Sequence, residues 1–143
     1  MAITLLLLGL SAVAQMPPHV ERDLFTAVNQ ARRVQGLPPL RWDESLAAAA
    51  RQHAAVMAQH GEVEHGFAGE PSVSTRAKLA GARFSWLAEN VGQGPSAGSI
   101  HGAFMNSPNH RANVLDRDMD SIGIGVVERG HELFVAEDFS KAR

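Results

Sequence analysis

Val20, Leu24, Ala27, Val28, Ala31 and Val34 recur three or four positions apart, the spacing that lines one face of a helix. The pattern breaks at Gly36, ahead of Pro38-Pro39, where glycine closes a helix readily and proline cannot extend it. A second stripe, formed by Leu46, Ala49, Ala50, His53, Met57 and His60, follows Asp43 and stops at Gly61. Asp43 is a suitable N-cap, and Glu44 suits the positive end of the helix dipole. The many alanines of this second helix allow a neighbouring layer to approach closely. Residues 61 to 72 read as a polar loop, Ser74 to Leu79 as a short helix closed by Gly81, and the mainly apolar Phe84 to Val91 as a strand. Gly92 to Ser99 reads as a Gly/Ser/Pro loop and Ala97 to Asn106 as a third long helix. That helix should end before Pro108, because the residue preceding a proline is biased away from helical geometry. The stretch after it, with His110, reads as a loop. Ile122 to Val127 reads as a strand, Glu128-Arg129-Gly130 as a turn, and Glu132 to Phe139 as the hairpin partner. Helices that precede and flank a small, mainly antiparallel sheet make the chain α+β.

Composition narrows the options. With 143 residues, 45% of them hydrophobic, the chain suits one domain with a packed core and no covalent staple. There is no cysteine, which excludes disulfides and thiolate metal sites. A formal charge of -2, with scattered basic residues, offers no electrostatic footprint for nucleic acid. Ile3 to Leu10 is an apolar run, and Ala12-Val13-Ala14 has the small-residue pattern of a cleavage site, although the usual basic start is missing. The expected organisation is a signal peptide over 1–14, a linker over 15–19 and a domain over 20–140. Its expected location is secreted or periplasmic. No segment beyond the leader is apolar enough to span a bilayer, so the processed chain is not expected to be an integral membrane protein.

Three groups suit metal binding or proton transfer: His65 in the polar loop, Glu89 in the apolar strand and His110 after the third helix. Two imidazoles can hold Zn²⁺ or another borderline divalent cation with positions left for water. A nearby carboxylate can serve as a third ligand or as the base for a metal-bound water. The bland readings stand beside these. His65 and His110 are far apart in the chain, and both fit solvated residues lining a groove. Glu89 fits a partner of Arg111 or an acceptor of backbone N–H groups. His53 and His60 fit satisfied core positions, His19 and His131 exposed ones, and Arg111 and Asn113 braces of a loop. Ser107, before Pro108, is ordinary turn chemistry and not a nucleophile elbow.

Five stretches in order carry a family resemblance: Asn29-Gln30-Ala31-Arg32 with Gly36 to Leu40 and Trp42-Asp43; Leu46, Ala50, His53 and Met57; Ala88-Glu89-Asn90-Val91; Asn106 to Leu115; and Ile122 to Val126 with Phe134 to Phe139. They resemble the CAP superfamily (the cysteine-rich secretory, antigen 5 and pathogenesis-related 1 proteins) in its cysteine-free bacterial form, from about Val20 to Phe139. The resemblance implies a three-layer α-β-α sandwich with an open cleft that holds two histidines and two acidic residues. Carried over, these are His65, His110 and Glu89. The stretch for the second acid is Phe104-Met105-Asn106-Ser107, without a carboxylate, so the set is incomplete; Glu70 and His101 are the residues that could lean into the gap, and nothing in the sequence selects either. The resemblance does not by itself select a reaction; the expected function is an exported binding module with a His65/Glu89/His110 cleft able to take a divalent cation such as Zn²⁺, with no organic cofactor. Its ligand would be an extracellular protein, cell-wall material or lipid. The alternatives are a metal-dependent hydrolase of peptide or cell-wall substrates, with Glu89 catalytic, and a lipid- or sterol-binding protein. The empty acidic position favours binding, because general acid–base chemistry usually needs two tuned groups.

Overall fold

A computed structural model describes residues 18 to 143. The expected signal peptide and most of the expected linker lie outside the described residues. The helices are α1 (His19–Val34), α2 (Glu44–His60), α3 (Val73–Leu79), α4 (Ala97–Asn106) and α5 (Pro108–Val114); the strands are β1 (Arg41–Trp42), β2 (Phe84–Gly94), β3 (Ser121–Arg129) and β4 (Glu132–Ala142). The sheet order is β1-β3-β4-β2. β1 runs parallel to β3, and the other pairs are antiparallel. The α+β class and the mainly antiparallel sheet are as expected.

Side chains alternate across a strand, and here the alternation builds three layers. Ile122, Ile124, Val135 and Phe139 join Leu24 and Val28 of α1, Ile100 and Phe104 of α4 and Val114 of α5 in one core. On the other face, Val91, Phe134 and Ala136 pack against Ala50, Ala54 and Met57 of α2. That second contact is unusually close. A Cβ on Gly123 would overlap the α2 backbone at Leu46 and Ala47, and one on Gly125 would overlap it at Ala50 and Arg51. Asp43 starts α2 by accepting from the backbone N–H groups of Ser45 and Leu46, and Gly61 ends it at φ 70°. These are the caps expected from sequence. Arg129 adds a further brace by donating to the Ala58 carbonyl of α2 at 2.6 Å.

Arg32 is a second brace. Its buried guanidinium donates to the carbonyls of Pro38, Val114, Asp116 and Met119 at 2.8 to 3.3 Å. It therefore ties the end of α1 to the segment between α5 and β3. Burial lowers its pKa, and the charge of Asp116 works in the opposite direction.

Three local expectations differ from the structure. β2 continues through Gly94 where a loop was expected after Val91. The two glycines there leave room for the ring of Phe104 and the side chain of Ile100: a Cβ on Gly92 would lie 2.9 Å from Phe104 Cε1, and one on Gly94 3.0 Å from Ile100 Cγ1. Residues 108 to 114, expected as loop, form α5 with Pro108 in its first turn, a position where proline's missing N–H is harmless. His60 is exposed and stacks on Phe67 with ring centroids 4.2 Å apart, so it is not a core residue.

The close α2–β3 contact should be intolerant of even one methyl group. Gly125→Ala should destabilise the protein by more than about 3 kcal/mol or prevent folding, because backbone rather than a flexible side chain blocks the space. Gly98→Ala, in the exposed first turn of α4 where a Cβ meets nothing within 4 Å, should be neutral or stabilising by up to about 1 kcal/mol. Urea unfolding of both variants measures the contrast.

Candidate functional site

The loop between α2 and α3 is held from beneath. His53 is fully buried, with Nε2 bonded to the Glu64 carbonyl at 2.8 Å and Nδ1 facing Glu70 Oε1 at 2.6 Å. A carbonyl only accepts, so Nε2 carries a proton and donates it. The other Glu70 oxygen accepts from the Phe67 N–H at 3.1 Å. His53 is thus the satisfied core histidine expected, and its partners fix the loop that carries His65.

Arg76 links this loop to the sheet. Ser72 caps α3 by accepting from the Thr75 N–H, and the helix delivers Arg76 beneath the loop. Arg76 Nη1 donates to the Pro71 carbonyl at 2.9 Å and lies 3.5 Å from Glu70 Oε1; Nη2 donates to Glu89 Oε2 at 2.6 Å. Both side chains of the Arg76–Glu89 pair are only 3% exposed. The partner of Glu89 is therefore Arg76, not the Arg111 weighed from sequence.

His65 meets the remaining Glu89 oxygen, with Nδ1 2.9 Å from Oε1. Its side chain is 64% exposed, so the rest of the ring faces outward. His110 enters from α5, its ring tilted on Phe104 at 5.1 Å between centroids. Burial lowers the His110 pKa, and the His65 charge lowers it further. His110 is thereby biased to the neutral form that can ligate a metal. Asn90 holds the α5 backbone by donating to the His110 carbonyl at 3.1 Å, and Asn113 donates to Asn90 Oδ1 at 2.8 Å. Asn113 braces this segment as expected. Ser107 Oγ forms no hydrogen bond to His110.

Neither Glu70 nor His101, the two residues left open for the missing acid, is hydrogen-bonded to Glu89. Glu70 bonds to His53 and the Phe67 N–H and reaches Glu89 only through Arg76. His101 Nδ1 is buried without a partner, and burial lowers its pKa. The carboxylate that accompanies Glu89 is Asp138, its cross-strand neighbour on β4. Asp138 is fully buried, and as an anion neither of its oxygens has a hydrogen-bond partner. Its pKa is raised well above the usual range, by burial first and then by the Glu89 charge, while Arg76 pulls it down. A protonated Asp138 can donate to Glu89. Glu137, beside it, faces the other layer and accepts from Asn90 Nδ2 at 3.3 Å. Burial pushes its pKa up to about 8, against the lowering effect of that hydrogen bond. A sequence signal for these acids existed: Glu137-Asp138 interrupts the apolar run from Leu133 to Phe139. A central strand of a sandwich must bury two consecutive carboxyls, one on each face.

The arrangement suits holding and orienting more than proton transfer. Both Glu89 oxygens are engaged. His65 and His110 are the candidate ligands. Among the described residues no group of three His, Asp or Glu side chains is placed to share a metal ion.

A family model described as the cysteine-rich secretory protein family, CAP, matches residues 25–139. The chain is 32% identical over 111 residues to the Bacillus subtilis protein YkwD, described as uncharacterized; the match covers 77% of this chain and 43% of that protein. This chain therefore spans less than half of that relative's length. An extracellular protein containing an SCP domain from Bacillus anthracis has a TM-score of 0.76 at 25% identity, over 85% of this chain and 40% of that one. An outer surface protein of Borrelia burgdorferi shares the fold with a TM-score of 0.79 at 20% identity, over 88% of this chain and 97% of that one.

The buried charges make two outcomes measurable. Arg76→Ala leaves Glu89 buried without its cation and should cost about 3–5 kcal/mol in urea unfolding. Glu137 has its pKa raised from the ordinary carboxyl value of about 4.5 to about 8, so the native state holds a proton that the unfolded chain releases. Its contribution to stability is then fully present below about pH 4.5 and is lost as the pH rises through about 8. Asp138 acts in the same sense. Stability should fall from about pH 5 to pH 8, and Glu137→Gln should flatten the slope by up to about 1.4 kcal/mol per pH unit. An unchanged slope would remove Glu137 as its source.

Proposed function

The chain belongs to the cysteine-rich secretory protein (CAP) family, and on that premise we propose that it is an extracytoplasmic binding module whose His65–Glu89–His110 cleft takes a divalent cation. The contact between Glu89 Oε1 and His65 Nδ1 at 2.9 Å carries the reading. A metal-ligating histidine usually donates its second ring N–H to a carboxylate, which sets its tautomer and orientation. Glu89 would do that for His65 and leave Nε2 to face outward. Glu89 is then a positioning residue, itself held by Arg76. The bias of His110 to the neutral form supplies a second imidazole.

The donor set fits a cation held weakly. Two imidazoles suit Zn²⁺ or a similar ion, and fewer than three protein ligands leave positions for water or for a bound partner group. When bound, the ion supplies a Lewis-acidic point at which an oxygen or nitrogen of an extracellular ligand can dock. The hydrolase alternative asks Glu89 to accept a proton during turnover, whereas its two oxygens already receive hydrogen bonds from His65 and Arg76. Export is supported by the Bacillus anthracis relative, described as extracellular. No helix among the described residues is long and apolar enough to cross a membrane.

Zn²⁺ should raise the melting temperature of the protein by several degrees, since a native-state ligand at a hundredfold excess over its Kd contributes about 2.7 kcal/mol. The His65→Ala/His110→Ala variant should lose that response. An equal response in both proteins would move the site to other histidines, such as the exposed His19, His60 or His131. Zn²⁺-dependent turnover of peptide or peptidoglycan, lowered about 10²–10⁴-fold by Glu89→Gln in a folded variant, would replace this reading with the hydrolase one.

A further inference from the structure

The two tryptophans differ in how they are used. Trp42 donates its Nε1–H to Glu44 at 2.9 Å and packs its ring edge-on against Phe25 with centroids 5.5 Å apart. Trp86 has neither kind of partner: its Nε1 makes no hydrogen bond within the described residues, and it is 60% exposed. It lies at the start of β2, where the register with β4 shifts, opposite Lys141. Strand alternation puts it on the side of α5, away from Glu89. The hollow beside it has a volume of about 370 Å³ and is lined by Trp86, Lys141, Asp116 and Asp118. That volume lies within the usual range of small-ligand sites, about 300–1,000 Å³.

The hollow has held walls and free functional groups. Asp116 is fixed by Arg32, which donates to its carbonyl at 2.8 Å. Asp116 Oδ1 accepts from the Asp118 N–H at 2.8 Å, which sets the turn. The Asp118 carboxylate accepts no hydrogen bond within the described residues. An indole with an open apolar face and an unused donor is the kind of side chain that dominates binding surfaces.

We propose that this hollow is a saccharide subsite, with one neutral pyranose ring stacked on Trp86. The mixed charges around the indole select the ligand class. A cation suited to the indole face would be repelled by Lys141, and an anion suited to Lys141 would meet Asp116 and Asp118. A neutral polyhydroxylated ring matches both signs. Its hydroxyls donate to the two carboxylates and accept from the Lys141 ammonium and the Trp86 N–H, while its flat C–H face covers the indole. The subsite stands on the opposite side of β2 from the His65–Glu89 contact and does not depend on a cation there.

The experiment is an NMR titration that follows the two indole N–H signals, which report Trp42 and Trp86 separately. The probes are N-acetylglucosamine trimer, glucose trimer and tetramethylammonium. The expected result is a saturable shift of the Trp86 signal with at least one trisaccharide below about 10 mM, the affinity range of a few kcal/mol, with Trp42 unmoved. Asp118→Asn should weaken that binding at least about threefold, the effect expected when a charged hydrogen-bond acceptor becomes neutral. Trp86→Ala should abolish trisaccharide binding, as read by calorimetry, and keep the native Trp42 signal as the check on folding. No Trp86 shift with either sugar would overturn the proposal. A shift with tetramethylammonium alone would overturn it in favour of a cation site.

Discussion

The approach of α2 onto β3 is the constraint from which the site follows. Gly123 and Gly125 let the helix backbone rest directly on the strand, where one added carbon would overlap main-chain atoms. The neighbouring positions of β4 and β2, Asp138 and Glu89, are buried. Asp138 pairs with Gly123 in the β3–β4 register, and Glu89 pairs with Asp138 in the next. Two carboxyls are thereby shut beneath helices. Isolated charges in such a place are costly enough that they either find a partner or take up a proton. Both solutions are present: Arg76 pairs with Glu89, and Asp138 is biased toward its neutral form.

The same pairing sets the limits of the chemistry. Glu89 receives Arg76 on one oxygen and His65 on the other. It is a carboxylate held in position, with both oxygens occupied by its neighbours. A group so placed is well made for orienting an imidazole and poorly made for exchanging protons with a substrate. His65 arrives from the loop under which His53 and Glu70 lie, and His110 arrives from α5, braced by Asn90 and Asn113. The two histidines therefore come from different layers, each with its own polar support.

Stability and pH response share a cause as well. Glu137 and Asp138 occupy consecutive positions on a central strand, so each layer of the sandwich receives one carboxyl. Neither can hydrate when ionised. The fold therefore carries a charge cost that grows with pH, separate from the outward-facing histidines.

Much of the architecture was legible along the chain. Helical spacing marked α1 and α2, Asp43 and Gly61 marked the ends of α2, and the hairpin of β3 and β4 followed from two apolar runs around Gly130. These features come from local physics: side-chain period, capping and turn geometry. The ordered motifs also singled out His65, Glu89 and His110. Two readings failed because tertiary packing outweighed local signal. Gly92 and Gly94 look like a loop until Phe104 and Ile100 fill the space above them, and residues 108 to 114 look like a loop until Asn90 and Arg32 tie α5 down. The partners of Glu89 were beyond local reading. Arg76 is an ordinary residue in the sequence, Asp138 stands out only as part of an acidic break in an apolar run, and only the stacking of α3, β2 and β4 makes them neighbours of Glu89. Periodicity and caps determined which segments are helix or strand; which charges must share a buried, low-dielectric space was decided by how those segments stack, because that energy depends on distances across the fold and not along the chain.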